Sequence, residues 1–102
     1  MHKGYTLNYF INFFKNIPAN KWTTGRLTND NGQACALGHA YNSLEGRHAE
    51  ERGDALCSFL GETVGINENT GGRYRSLGRT PKKRILKALR NRKRYGSVLG
   101  NN

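Results

Sequence analysis

No acidic residue follows Glu68, so the eleven basic residues beyond it, from Arg73 to Arg94, have nothing of opposite sign within their own third of the chain. The first 68 residues hold six basic and seven acidic side chains, so they sum to −1 and more than the whole formal charge of +10 sits in the C-terminal third. A one-signed segment repels itself and is best tolerated where an anionic partner compensates it. The expected molecule is a near-neutral body carrying a basic C-terminal element.

The body has limited material for a core. With 102 residues there is room for one domain, and at 35% hydrophobic residues most Phe, Leu, Ile and Tyr must collect in one place. Thirteen glycines weaken the case for long regular elements. The reading is a single domain over residues 1–96 with a flexible tail at 97–102. No apolar run approaches the roughly 20 residues of a membrane span, and the N-terminus lacks the pattern of a signal peptide. A location in the cytoplasm, with no membrane partner and with Cys35 and Cys57 as free thiols, is expected.

Leu7, Phe10, Ile11 and Phe14 fall at i, i+3, i+4 and i+7, which predicts a helix from about Tyr5 to Asn16, ended by Pro18. Thr28 to Gly32 has the turn chemistry of a hairpin loop between short strands at Lys21–Leu27 and Gln33–Leu37, with Trp22 as its anchor. Leu37, Ala40, Tyr41 and Leu44 have helical spacing after a corner at Gly38, and Leu56, Phe59 and Leu60 support a third helix from about Ala49 to Thr63. Gly65 to Gly78 shows no period and is expected to be a long loop. Thr80-Pro81 is a strong helix start, followed by the apolar positions Ile85, Leu86, Ala88 and Leu89. The fold class expected is α+β: an N-terminal helix, a β-hairpin, and two to three further helices including a basic C-terminal one. The exposed edge of a hairpin would also offer a route to a homodimer.

On that last helix Lys83, Lys87, Arg90 and Arg94 are spaced 4, 3 and 4 apart and share one narrow sector. Lys82, Lys83 and Arg84 occupy its first turn, where the helix dipole disfavours cations, an arrangement that stability alone would not select. Arg73, Tyr74 and Arg75 in the preceding segment add a stacking group between two guanidinium groups. These seven residues form the expected anion- or partner-binding surface. Its ligand is nucleic acid, a nucleotide-like molecule, or an acidic face of a host protein that itself binds nucleic acid.

Other constellations are weaker. Cys35, His39, His48 and Cys57 are zinc-ligand types without paired-cysteine spacing, and the spacing alone does not say whether they come together. Cys35 with His39 is a sparse basis for nucleophilic catalysis, and no phosphate-cradling glycine motif is present. No catalytic residue, metal or cofactor is assigned, and the chain is read as a binding protein rather than an enzyme.

Trp22-x-x-Gly25 followed by Gly32-x-x-Cys35-Ala36-Leu37-Gly38, with Thr80-Pro81 opening a later helix, resembles a set of small uncharacterised proteins of phages and bacterial mobile elements. The resemblance implies a compact α+β domain in a phage-like setting and carries no catalytic residues. Phage accessory proteins of similar size and charge segregation include inhibitors of host defence, among them anti-CRISPR proteins. The function expected is such an anti-defence inhibitor, working in the bacterial host cell by occlusion through its basic C-terminal surface. The alternatives are a direct DNA- or RNA-binding accessory protein and a protein that sequesters a nucleotide signal.

Overall fold

The computed structural model describes residues 4–100. Five α-helices run in the order α1 (Leu7–Lys15), α2 (Ala36–Tyr41), α3 (Gly46–Leu60), α4 (Thr63–Glu68) and α5 (Pro81–Tyr95), with short 3-10 turns at Ala19–Lys21, Thr70–Gly72 and Arg75–Leu77.

The N-terminal helix forms as its periodicity dictates. Thr6 caps α1 by accepting from Tyr9 N at 3.0 Å, and Phe10 and Phe14 are fully buried. The last helix is fixed by the same chemistry. Thr80 Oγ1 accepts from Lys83 N at 3.2 Å, Pro81 stands in the first turn, and Gly96 closes the helix at φ 75°. Ile85, Leu86, Ala88 and Leu89 all turn inward. α5 packs against α1 and α4 and also touches α3, so its apolar face joins Phe10, Phe14, Leu56 and Ile66 in one core.

The α+β expectation is corrected: among the described residues the protein is helical and has no sheet. Residues 22–35 keep the turn but not the strands. Asn29 Oδ1 accepts from Asn31 N at 2.9 Å and Gln33 N at 3.1 Å, while only isolated bridges join Trp22 and Thr28 to Ala34. The reason lies in where the main-chain groups go. Asn67 Nδ2 donates to Thr23 O at 3.1 Å, and Glu68 Oε1 accepts from Gly25 N at 2.8 Å, so side chains of α4 satisfy groups that a ladder would otherwise use. Among the described residues there is no strand, so the hairpin edge expected as a route to a homodimer is absent from residues 22–35. Trp22 does anchor the segment, buried between the rings of Phe14 and His39 at 5.3 and 5.0 Å.

The long loop expected at 65–78 is also corrected. Its first part is α4, and the remainder folds into the two 3-10 turns, with Asn69 in the left-handed region at φ 56°. Gly38 lies inside α2, not at a strand-to-helix corner. A Cβ there would overlap the Leu27 carbonyl oxygen, so glycine permits the close approach of α2 to the preceding segment. After Gly96 the chain turns back on α5: Asn91 Nδ2 donates to Val98 O at 3.0 Å, and Val98 packs against the core.

Candidate functional site: the two sets of basic residues

An α-helix leaves its last carbonyls unsatisfied, with a partial negative charge at that end. In this chain basic side chains supply the missing donors. Lys82 Nζ reaches the end of α1 and donates to Lys15 O at 3.2 Å and Ile17 O at 2.6 Å. Arg52, only 8% exposed, covers the end of α2 through Nε to Ala40 O and Nη2 to Asn42 O, both at 2.6 Å. Arg84 covers the end of α4, with Nε to Ile66 O at 2.9 Å and Nη2 to Asn67 O at 2.6 Å. Arg92 donates to Phe59 O in the last turn of α3 at 3.1 Å and to Gly96 O beyond α5 at 2.6 Å. Among the described residues α1, α2, α3 and α4 therefore each end on a cation.

This assigns the crowded first turn of α5 differently from the sequence expectation. Lys82 and Arg84 project from that turn onto the ends of α1 and α4, and only Lys83 is left facing solvent. Their unfavourable interaction with the dipole of α5 is offset by hydrogen bonds from charged donors, each worth about 1.5–3 kcal/mol. Burial pulls the Arg84 guanidinium below its ordinary value, a shift opposed by nearby Glu68. Arginine remains charged through such a shift.

The second set is the stripe. Lys83, Lys87, Arg90 and Arg94 are all exposed on α5, and among the described residues none of their side chains is hydrogen-bonded or ion-paired. Arg94 stands over the Tyr95 ring at 5.3 Å. From Lys83 to Arg94 the helix rises about 16 Å. Four exposed cations thus line one face with no acid among them, an arrangement that can contact successive phosphates.

The segment before α5 contributes less than expected. Tyr74 is 3% exposed and belongs to the core, so its ring offers no free face for stacking. Burial, reinforced by the Glu62 carboxylate, raises its phenol above the usual range. Arg73 pairs with Glu62 at 3.1 Å on the surface, whereas Arg75 is exposed in the turn that packs on α5.

Cys35, His39, His48 and Cys57 do not assemble. Among the described residues no group of three or more metal-ligand side chains is placed to hold an ion. Cys35 is a buried free thiol whose Sγ accepts from Gly38 N at 3.4 Å, capping α2. His39 is buried beside Trp22 and its Nε2 lies 2.8 Å from Lys21 O. Desolvation lowers the His39 pKa below 6.5, partly opposed by that hydrogen bond.

Sequence reasoning missed Arg52, Asn67 and Glu68. Asn67 Oδ1 accepts from Ala36 N at 3.0 Å and its Nδ2 donates to Glu68 Oε2 at 2.9 Å, tying α4 to the start of α2. Nothing in the sequence pattern signals these roles, because their partners are main-chain atoms of distant residues. Among the described residues no helix is long and apolar enough to cross a membrane. No protein-family model, curated protein or solved structure matches the chain.

Proposed function

We propose that this is a non-enzymatic binding protein whose working surface is the exposed stripe Lys83, Lys87, Arg90 and Arg94, with Arg75 beside it, and whose ligand is the phosphate backbone of a nucleic acid. The observation that carries the reading is the division of the basic residues: among the described residues the stripe side chains make no hydrogen bond or ion pair, while Lys82 and Arg84 on the same helix cover the ends of α1 and α4. A solvated helix face is ordinarily interlaced with Glu to Lys pairs, and this one has none. In the phage setting that the resemblance implies, covering an anionic strand is a means of occlusion, and inhibition of a bacterial defence system is the role proposed. The burial of Tyr74 removes the stacking group on which a nucleotide site before α5 would depend.

The test is fluorescence anisotropy of labelled single- and double-stranded DNA and RNA titrated with the full chain at about 50 mM salt. Direct binding, weakened at higher salt, supports the reading. Absence of binding to every one of these probes contradicts it and turns the stripe toward an acidic protein surface, to be sought by capture from a bacterial lysate.

A further inference from the structure

A second feature lies away from the stripe. Between the C-terminal ends of α1 and α2 is a pocket of about 410 Å³, within the range of small-ligand sites, and none of the stripe residues lines it. Its lining includes Lys21, His39 and Arg52 and no acidic side chain, while Ile17 and Pro18 supply an apolar wall. We propose that this pocket binds a small phosphate monoester that carries a ring and a hydroxyl group.

The donors, the acceptors and the apolar wall fit that chemistry. Arg52 has five N–H groups; besides Ala40 O and Asn42 O it reaches Tyr9 Oη at 3.2 Å and His39 O at 3.5 Å. One Nη1 hydrogen remains, and no carboxylate pairs with this buried charge among the described residues. Lys21 at the rim is exposed, and its ammonium group has no partner among the described residues. Arg52 spends four N–H groups on the fold and stands over the Phe13 ring at 4.5 Å, so the pocket offers an anion its remaining Nη1 hydrogen and the Lys21 ammonium, the donors a phosphate monoester needs. His39 must donate through Nε2, since Lys21 O can only accept, which leaves Nδ1 as an acceptor with no partner among the described residues. A ligand hydroxyl satisfies it.

Ser43 also lines the pocket, its φ of 66° set by the turn in which Leu44 N donates to Tyr41 O at 3.3 Å, and among the described residues neither its hydroxyl nor the Asn42 side-chain amide is hydrogen-bonded.

Trp22, the sole tryptophan, has its ring 5.0 Å from that of His39 and reports on the pocket. The full chain is titrated with AMP and with inorganic phosphate by calorimetry, with Trp22 emission followed in parallel. The expected result is saturable AMP binding that shifts Trp22 emission, at least about tenfold tighter than inorganic phosphate. Lys21→Glu, at an exposed position that leaves the helical circular dichroism unchanged, weakens AMP binding about tenfold or more, as loss of a charge-assisted hydrogen bond requires. The Lys87→Glu, Arg90→Glu double variant binds AMP like the parent, which separates this site from the proposed nucleic-acid surface. No AMP binding at up to about 10 mM overturns the proposal. So does heat without a Trp22 response, AMP no tighter than phosphate, parent-like binding by Lys21→Glu, or loss of binding in the stripe variant.

Discussion

Arg84 Nη2 donates to the main-chain carbonyl of Asn67 at 2.6 Å, and the Asn67 side chain in turn accepts from Ala36 N at 3.0 Å. A basic residue of α5 thereby holds the end of α4, and α4 holds the beginning of α2. Removing the guanidinium leaves the Ile66 and Asn67 carbonyls buried without their donors. Arg84→Met is expected to cost about 3 kcal/mol or more, since each abandoned buried acceptor costs about 1–3 kcal/mol. Lys87→Met, on the exposed face, should stay within about 0.5 kcal/mol of the parent. Urea denaturation of the two variants side by side measures the difference, and equal midpoints would contradict the division of basic residues.

Asn67 is 1% exposed and joins three segments through one amide. Asn67→Ala strands Ala36 N and Thr23 O, and the expected loss is about 2–4 kcal/mol. Asn67→Asp keeps the acceptor for Ala36 N but removes the donor to Thr23 O and sets a second carboxylate against Glu68. Its deficit should therefore grow as pH rises through the carboxylate range. A pH-independent deficit in denaturation experiments would refute that placement of the side chain.

His39 gives the fold a pH dependence of definite sign. Its pKa is lowered in the folded state by desolvation, so the unfolded chain takes up the proton first as pH falls below 6.5. The histidine is neutral in both states above that value, and stability declines as pH drops through the window beneath it. His39→Gln retains a donor for Lys21 O and cannot titrate. Between pH 7.5 and pH 5.5 the urea midpoint of the parent should fall further than that of His39→Gln; parallel curves would exclude His39 as the source.

Gly38 marks where α2 passes closest to the segment before it. A methyl group there meets a main-chain carbonyl oxygen of Leu27, which cannot rotate aside as a flexible side chain does. Gly38→Ala is expected to destabilise by at least about 1–3 kcal/mol, the usual range for overpacking, despite the better helix propensity of alanine. Thermal unfolding tests this, and an unchanged or higher Tm would show that the two segments can move apart.

Elements whose signals are local were legible in the sequence. The aromatic period of α1, the Thr80-Pro81 start of α5 and the four-residue stripe read directly, and α3 runs over Gly46–Leu60, shifted about three residues toward the N-terminus from its expected bounds. Elements that depend on distant side chains were not. Asn29 forms the turn its chemistry implies, yet the flanking main chain is held by Asn67 and Glu68, some forty residues away, and no ladder forms. The glycine- and asparagine-rich stretch begins as α4 because Arg84 covers its terminal carbonyls. Lys82 and Arg84 looked like excess charge because carbonyl partners leave no complementary pattern of residue types to read.

The most direct measurement is the salt dependence of duplex DNA binding by the parent and the Lys87→Glu, Arg90→Glu double variant. The four stripe residues alone predict a log–log slope of about −3 to −4, with about a hundredfold loss of affinity between roughly 50 and 200 mM salt. The double variant should lose most of its affinity, with a slope shallower by about 2, while its urea midpoint matches that of the parent. Equal slopes for the two proteins would contradict the account, as would a variant that loses binding only because it has unfolded.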